Sequence, residues 1–128
     1  MFKRIFIATV LCITLSSCEG EPPRKYAAEL RPKIHAEYIK QGICREDKSR
    51  MHGNDCNDVF FVGGVYTIHF TFYIPTEKFP TFDFAAILNM FNEIYIRDNV
   101  DLDIYFHNGT FGGDNKEVYR VRYYAYKK

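Results

Sequence analysis

Two stretches near the C-terminus constrain the fold more than any other feature of this chain. Val100, Leu102, Ile104 and Phe106 take every second position, with Asp101, Asp103, Tyr105 and His107 between them. Beyond a glycine-rich loop, Asn108 to Lys116, the residues Tyr119, Val121, Tyr123 and Ala125 alternate in the same way with Arg120, Arg122, Tyr124 and Tyr126. A period of two belongs to a strand with one buried face. Antiparallel pairing that sets Leu102 opposite Val121 and Ile104 opposite Tyr119 also sets Asp101 opposite Arg122 and Asp103 opposite Arg120. Apolar and charged registers then agree, and this is the hairpin the sequence predicts.

The rest of the chain divides around that hairpin. Residues 24–41 read as a helix, because Tyr26, Leu30, Ile34 and Tyr38 recur every fourth position and Gly42 is placed to end it. Pro32 either kinks this helix or marks its true first turn. Val59 to Val62 is a short apolar run ended by Gly63 and Gly64. Tyr66, Ile68, Phe70, Phe72 and Ile74 then alternate with Thr67, His69, Thr71 and Tyr73 as a half-buried strand. After a loop from Pro75 to Pro80, Thr81 is placed to cap a second helix. Its apolar face is Phe84, Ile87, Leu88, Phe91, Ile94 and Tyr95, and it stops near Asp98 and Asn99. The expected fold is α+β: an antiparallel four-stranded sheet with two helices on one face, in the order αββαββ.

The N-terminus is of a different kind. Lys3 and Arg4 are followed by a run from Ile5 to Leu15 that is apolar except for Thr9 and Thr14. Eleven such residues suit the apolar region of a secretory signal, whereas a membrane-spanning helix needs about 20. Leu15, Ser16, Ser17 and Cys18 follow. Aliphatic, small, small, cysteine resembles the lipobox of bacterial lipoproteins. An ordinary secretory signal followed by a chance cysteine would need all four of these features to coincide. The resemblance implies cleavage before Cys18, removal of residues 1–17, and acylation of Cys18 on sulfur and amino group. Several acyl chains make a permanent anchor, where a single chain binds reversibly. Glu19, where an Asp would favour inner-membrane retention, leans the assignment towards the outer membrane, facing the periplasm. Residues 18–23 then form a lipidated tether and residues 24–128 a single domain. At about 3.3 Å per extended residue the tether spans under roughly 20 Å.

Removing residues 1–17 leaves 111 of 128, enough for one core. It also removes two of 17 basic residues against 16 acidic ones, for a net of −1. Such a balance gives no electrostatic case for nucleic acid. Of four cysteines, Cys12 leaves with the signal and Cys18 carries lipid. Cys44 and Cys56 remain in an oxidising compartment, where a disulfide is expected; it would close a polar loop from Arg45 through Met51. A zinc set of Cys44, Cys56, His35 and His52 is the alternative, but its spacing matches no established pattern.

No catalytic constellation stands out. His35 lies beside the first helix's apolar stripe, His69 on the polar face of a strand, and His107 at a strand end, with no nucleophile fixed beside any of them. Ser49 is the only serine beyond Cys18, and no Gly-x-Ser-x-Gly or phosphate-cradling loop exists. Asp98, Asp101 and Asp103 lack calcium-loop spacing. No enzyme activity, metal or cofactor is therefore expected. What remains is surface. Tyr73, Tyr105, Arg120, Arg122 and Tyr124 project from the outward strand faces, with His69 and Tyr126 nearby, and tyrosine and arginine are enriched at binding hot spots. The expected role is a non-catalytic protein-binding module. In lipobox and overall design the chain resembles the small lipoprotein immunity proteins that neutralise toxins in the periplasm. An envelope assembly or structural accessory, or a surface-exclusion lipoprotein, is the alternative.

Overall fold

The computed structural model describes residues 21–126. The expected signal segment and lipobox, with Cys18, lie outside the described residues, as do Lys127 and Lys128. Helix α1 spans Glu21–Lys40; strands β1 and β2 span Phe60–Gly63 and Ile68–Ile74. A 3-10 turn, Phe79–Thr81, precedes helix α2, Phe84–Asp98, and strands β3, Leu102–Gly109, and β4, Asn115–Tyr123, complete the chain. The four strands form one sheet in the order β1-β2-β3-β4.

Two features of the expected architecture are corrected. The 3-10 turn adds an element to the expected order. The sheet is mixed as well: β1 and β4 run antiparallel to their neighbours, but β2 and β3 run parallel. The cause lies in the connection between β2 and β3. Strands joined by a tight turn reverse direction, whereas a helical crossover carries the chain back to the end where the first strand began. Fifteen residues of α2 rise about 22 Å. Seven residues of β2 extend about 23 Å. The helix thus returns the chain along the full strand.

Both helices pack on the same face of the sheet. Tyr26, Leu30, Ile34 and Tyr38 of α1 are buried, as their spacing predicts, and Ile87, Phe91 and Ile94 of α2 join them. Phe84, Leu88 and Tyr95 pack partly buried at the margin. The sheet contributes Phe60, Ile68, Phe70, Phe72, Ile74, Leu102, Ile104 and Phe106. The Phe91 ring stands edge-on to Phe70 and Phe72, with centroids 4.7 and 5.9 Å away, an arrangement aromatic quadrupoles favour.

Helix α1 includes Pro32 within one continuous span and is already helical at Glu21, so residues 21–23 are not extended. An interior proline costs about 3 kcal/mol. Burying a large apolar side chain contributes about 1.5–3 kcal/mol, and the four buried residues of α1 offset the proline. The end of the helix is tied down by the Cys44–Cys56 disulfide, which forms as expected, with Cα atoms 5.2 Å apart. Its loop is ordered within itself: Asp47 N–H donates to Gly53 O at 2.8 Å, and Glu46 bridges Asn54.

Helix α2 starts later than expected. Asp83, not Thr81, is the N-cap, and its carboxylate accepts from Ala86 N–H at 3.2 Å. Thr81 belongs to the 3-10 turn. Tyr66, expected to open β2 on its buried face, instead lies in the β1–β2 turn and is exposed. Tyr124 and Tyr126 fall beyond the end of β4.

The C-terminal hairpin forms with its core face as expected but in a register two residues away. Leu102 pairs with Tyr123 and Ile104 with Val121, so Asp103 faces Arg122 and Tyr105 faces Arg120. A slip of two keeps every side chain on its face, which is why alternation alone does not distinguish the two registers. The decision is made at the turn. Gly109 has φ +127°, and a Cβ there would lie 2.1 Å from the Asp114 carbonyl oxygen. A bulge follows, since Phe106 pairs with Tyr119 but His107 with Glu117, leaving Val118 as the extra residue.

Candidate functional site

The face of the sheet away from the helices carries the residues singled out from the sequence. Pairing places His69, Asp103 and Arg122 in one row across β2, β3 and β4. Thr71, Tyr105 and Arg120 form the next, and Tyr73, His107 and Glu117 the third. Alternation along each strand puts these side chains on one face, and the mixed sheet brings the three strands side by side.

Asp103 organises the first two rows. Its side chain has 0 % relative exposure on a face that no helix covers. The cover is made of other side chains. Arg120 clasps the carboxylate with Nε 2.9 Å from Oδ1 and Nη2 2.6 Å from Oδ2, and the Tyr105 hydroxyl donates to Oδ2 at 2.7 Å. His69 Nδ1 lies 3.4 Å and Arg122 Nε 3.8 Å from the same oxygen. Arg120 reaches Asp103 on the diagonal, a distance long side chains span easily, while its guanidinium lies 4.8 Å from the Tyr105 ring centroid. Arg122, directly opposite Asp103, turns over the Tyr124 ring at 5.1 Å. The bond from Arg120 holds the Asp103 carboxyl below the usual carboxylate range despite its burial. The bond to Asp103 pushes the Tyr105 phenol up, and its carboxylate raises Arg120 further above its already high value.

The expected pairing of Asp103 with Arg120 therefore forms as an ion pair, though not as facing residues. Asp101 does not meet Arg122; its carboxylate accepts from Ala125 N–H at 2.6 Å and fixes the end of β4.

Tyr73 belongs to a second cluster on the same face. Its ring lies 5.9 Å from Phe61, 5.5 Å from Phe111 and 5.1 Å from His107, with Phe61 and Phe111 4.5 Å apart. His107 Nδ1 is 2.8 Å from Asn115 Oδ1. Phe61 and Phe111 were missed by the sequence reading. The sequence signal for Phe61 is partial: adjacent residues of a strand point to opposite faces, so either Phe60 or Phe61 had to lie on the open face, and the structure buries Phe60. Phe111 lies in a glycine-rich turn, where no periodicity assigns a face.

A second region brings together residues weighed above as metal ligands. His35 and His52 meet edge-on, with ring centroids 6.3 Å apart, beside a groove of about 690 Å³ also lined by Arg31 and Glu46. His35 is buried, its Nε2 has no hydrogen-bond partner among the described residues, and desolvation lowers its pKa. Cys44 and Cys56 are bonded to each other, so the four residues do not form a zinc set. Among the described residues, no helix is long and apolar enough to cross a membrane. Compared with family models, with curated proteins and with solved structures, the chain matches none.

Proposed function

We propose that this chain is a lipid-anchored envelope protein that binds another protein through the open face of its sheet, with neutralisation of an incoming toxin as its role. The observation that carries the reading is the ordering of Arg120, Arg122, Tyr105 and Tyr124 around buried Asp103. Arginine and tyrosine dominate binding hot spots. Ordering a flexible side chain at an interface costs about 0.5–1.5 kcal/mol, and here Asp103 and the tyrosine rings order the guanidinium groups in advance. The carboxylate spends its lone pairs on these donors, so the set presents donors and ring faces rather than a free base. The lipobox, Cys18 and the short segment behind it hold this face near an outer-membrane surface in the periplasm, where an arriving protein can be intercepted.

The test is photo-crosslinking in living cells from Tyr124 and from Tyr73, followed by the same capture with Arg122→Glu. The reading expects a soluble or toxin-domain partner whose capture the substitution abolishes while circular dichroism shows the domain still folded, since a carboxylate opposite Asp103 lowers stability by itself. Recovery of outer-membrane assembly machinery alone would sink the inhibitor role. Capture that is indifferent to Arg122→Glu would sink the assignment of the face.

A further inference from the structure

The topology gathers one end of the domain around the first turn of α1, whose first residue, Glu21, is three positions after Cys18 in the sequence. The first turns of α1, the β1–β2 turn, the end of α2, the start of β3 and the end of β4 all lie there. Side chains fasten this end together. Tyr26 Oη donates to Asp98 at 2.7 Å, Arg97 holds Glu29 through two bonds of 2.9 Å, and Asn99 exchanges hydrogen bonds with the Tyr126 backbone. Pro23, Arg24 and Ala27 line a cavity of about 490 Å³ together with Gly63, Gly64 and Val65, which sets the β1–β2 turn beside the first turns of α1.

This end exposes apolar and aromatic side chains: Val65 is 74 %, Tyr66 93 %, Ile96 77 % and Tyr126 59 % exposed. Gly64, at φ +103°, makes the turn that holds Val65 and Tyr66 out, and a Cβ there would lie 1.9 Å from the Thr67 carbonyl oxygen. Glu29, Asp98 and Asp101 at this end are engaged within the protein. Glu29 and Asp98 bind Arg97, and Asp101 accepts the Ala125 N–H. The chain is already helical at Glu21, three residues after Cys18. Three residues reach at most about 11 Å.

We infer that this end of the domain rests on the bilayer, with Val65 and Tyr66 of the β1–β2 turn, Ile96 and Tyr126 seated among the lipid headgroups. The inference depends on the lipid anchor at Cys18 and extends it from attachment to orientation. Tyrosine is enriched at membrane–water interfaces because its ring is apolar and its hydroxyl polar. An anchor this short leaves the domain little freedom to turn another surface to the lipid. The sheet then stands on the membrane, with the disulfide loop and the β3–β4 turn farthest from it. Met51 and Phe111 are exposed at that far end, but Met51 stands between Arg50 and His52 in a charged loop.

The chain contains no tryptophan, so one introduced indole reports its own surroundings. The acylated protein carrying Tyr66→Trp, Ile96→Trp or Phe111→Trp is reconstituted into phosphatidylethanolamine–phosphatidylglycerol vesicles with brominated acyl chains, and co-flotation and fluorescence are both read. Interfacial side chains lie about 5–10 Å into the headgroup boundary, so Tyr66→Trp and Ile96→Trp should lose about half their intensity or more while Phe111→Trp keeps its own. Protein that floats with the vesicles but shows no quenching at the first two positions, or equal quenching at all three, overturns the orientation and leaves the anchor standing. Protein that does not float overturns the anchor, and the orientation with it.

Discussion

Arg120 grips Asp103 through two hydrogen bonds, 2.9 Å to Oδ1 and 2.6 Å to Oδ2, across a strand pair in which the two are not direct neighbours. The bond makes burial of a carboxylate on an uncovered face tolerable, because the guanidinium replaces the water that the acid loses. It also couples the position of Arg120 to that of Tyr105, whose ring the guanidinium covers.

Asp103→Ala is expected to destabilise the protein and release Arg120 from its fixed position, since it leaves the guanidinium and the Tyr105 hydroxyl without their acceptor. The urea midpoint should fall, and the Arg120 Nε–H signal should lose its exchange protection. An unchanged midpoint with intact protection would show that Asp103 does not organise the face.

The same carboxylate titrates below its ordinary value, as do Glu29 and Asp98 beside Arg97. A depressed acid contributes stability that is fully present above its unfolded pKa and lost as pH falls through the folded one. His35 acts at higher pH. Burial depresses a base by disfavouring its charged form, so its contribution is intact above the unfolded value near 6.5 and declines as pH falls below it. Stability measured by urea at pH 7 and pH 5.5 should therefore fall with acidification. His35→Gln should flatten that part of the profile and leave the loss below about pH 4 in place; an unaltered slope between the two would contradict the assignment.

Reduction of Cys44–Cys56 should lower stability by about 3 kcal/mol, the chain-entropy value for a loop of this size. The sequence separation is 12, and the loop keeps its own hydrogen bonds. Unfolding of the oxidised protein and of a Cys44→Ala, Cys56→Ala double variant would give the difference. Thiol titration of the denatured, unreduced acylated protein should find no free cysteine.

Phe91→Ala removes the ring that joins α2 to Phe70 and Phe72 and should cost about 3–5 kcal/mol, the range for aromatic truncation in a packed core. Ile96→Ala, on the exposed side of the same helix, should cost far less. Similar losses at both positions would mean that α2 is packed in another rotation about its axis.

Cys18→Ser should release the domain from the membrane fraction with its melting temperature unchanged, since the apolar core is built from residues 26–106. A variant that stays membrane-bound would refute attachment by lipid on Cys18.

Much of the molecule was legible from the sequence because strand and helix periodicity are local. Tyr26, Leu30, Ile34 and Tyr38 declare one face of a helix by spacing alone. Phe70, Phe72, Ile104 and Phe106 declare one face of two strands, so the core and the membership of the opposite face could be read directly. The candidate face was legible in the same way as far as Tyr105, Arg120 and Arg122, which fall on alternating positions. The Cys44–Cys56 disulfide was legible as what the lipobox resemblance implies, since that resemblance assigns Cys12 to a signal segment and Cys18 to lipid.

What only the tertiary structure decided are relations between segments. The direction of β3 against β2 depends on where α2 returns the chain, which no residue within either strand records. The register of the β3–β4 hairpin depends on Gly109 and the bulge at Val118, because a shift of two preserves both the apolar and the charged alternation. The N-cap of α2 moved from Thr81 to Asp83 because a 3-10 turn takes up the residues between. Most consequential is Asp103, which alternation marks simply as outward-facing. Its burial comes from Arg120, Tyr105, His69 and Arg122 converging from three strands. Sequence patterning settles which way a side chain points, but the neighbours that close over it are set by how the strands come together.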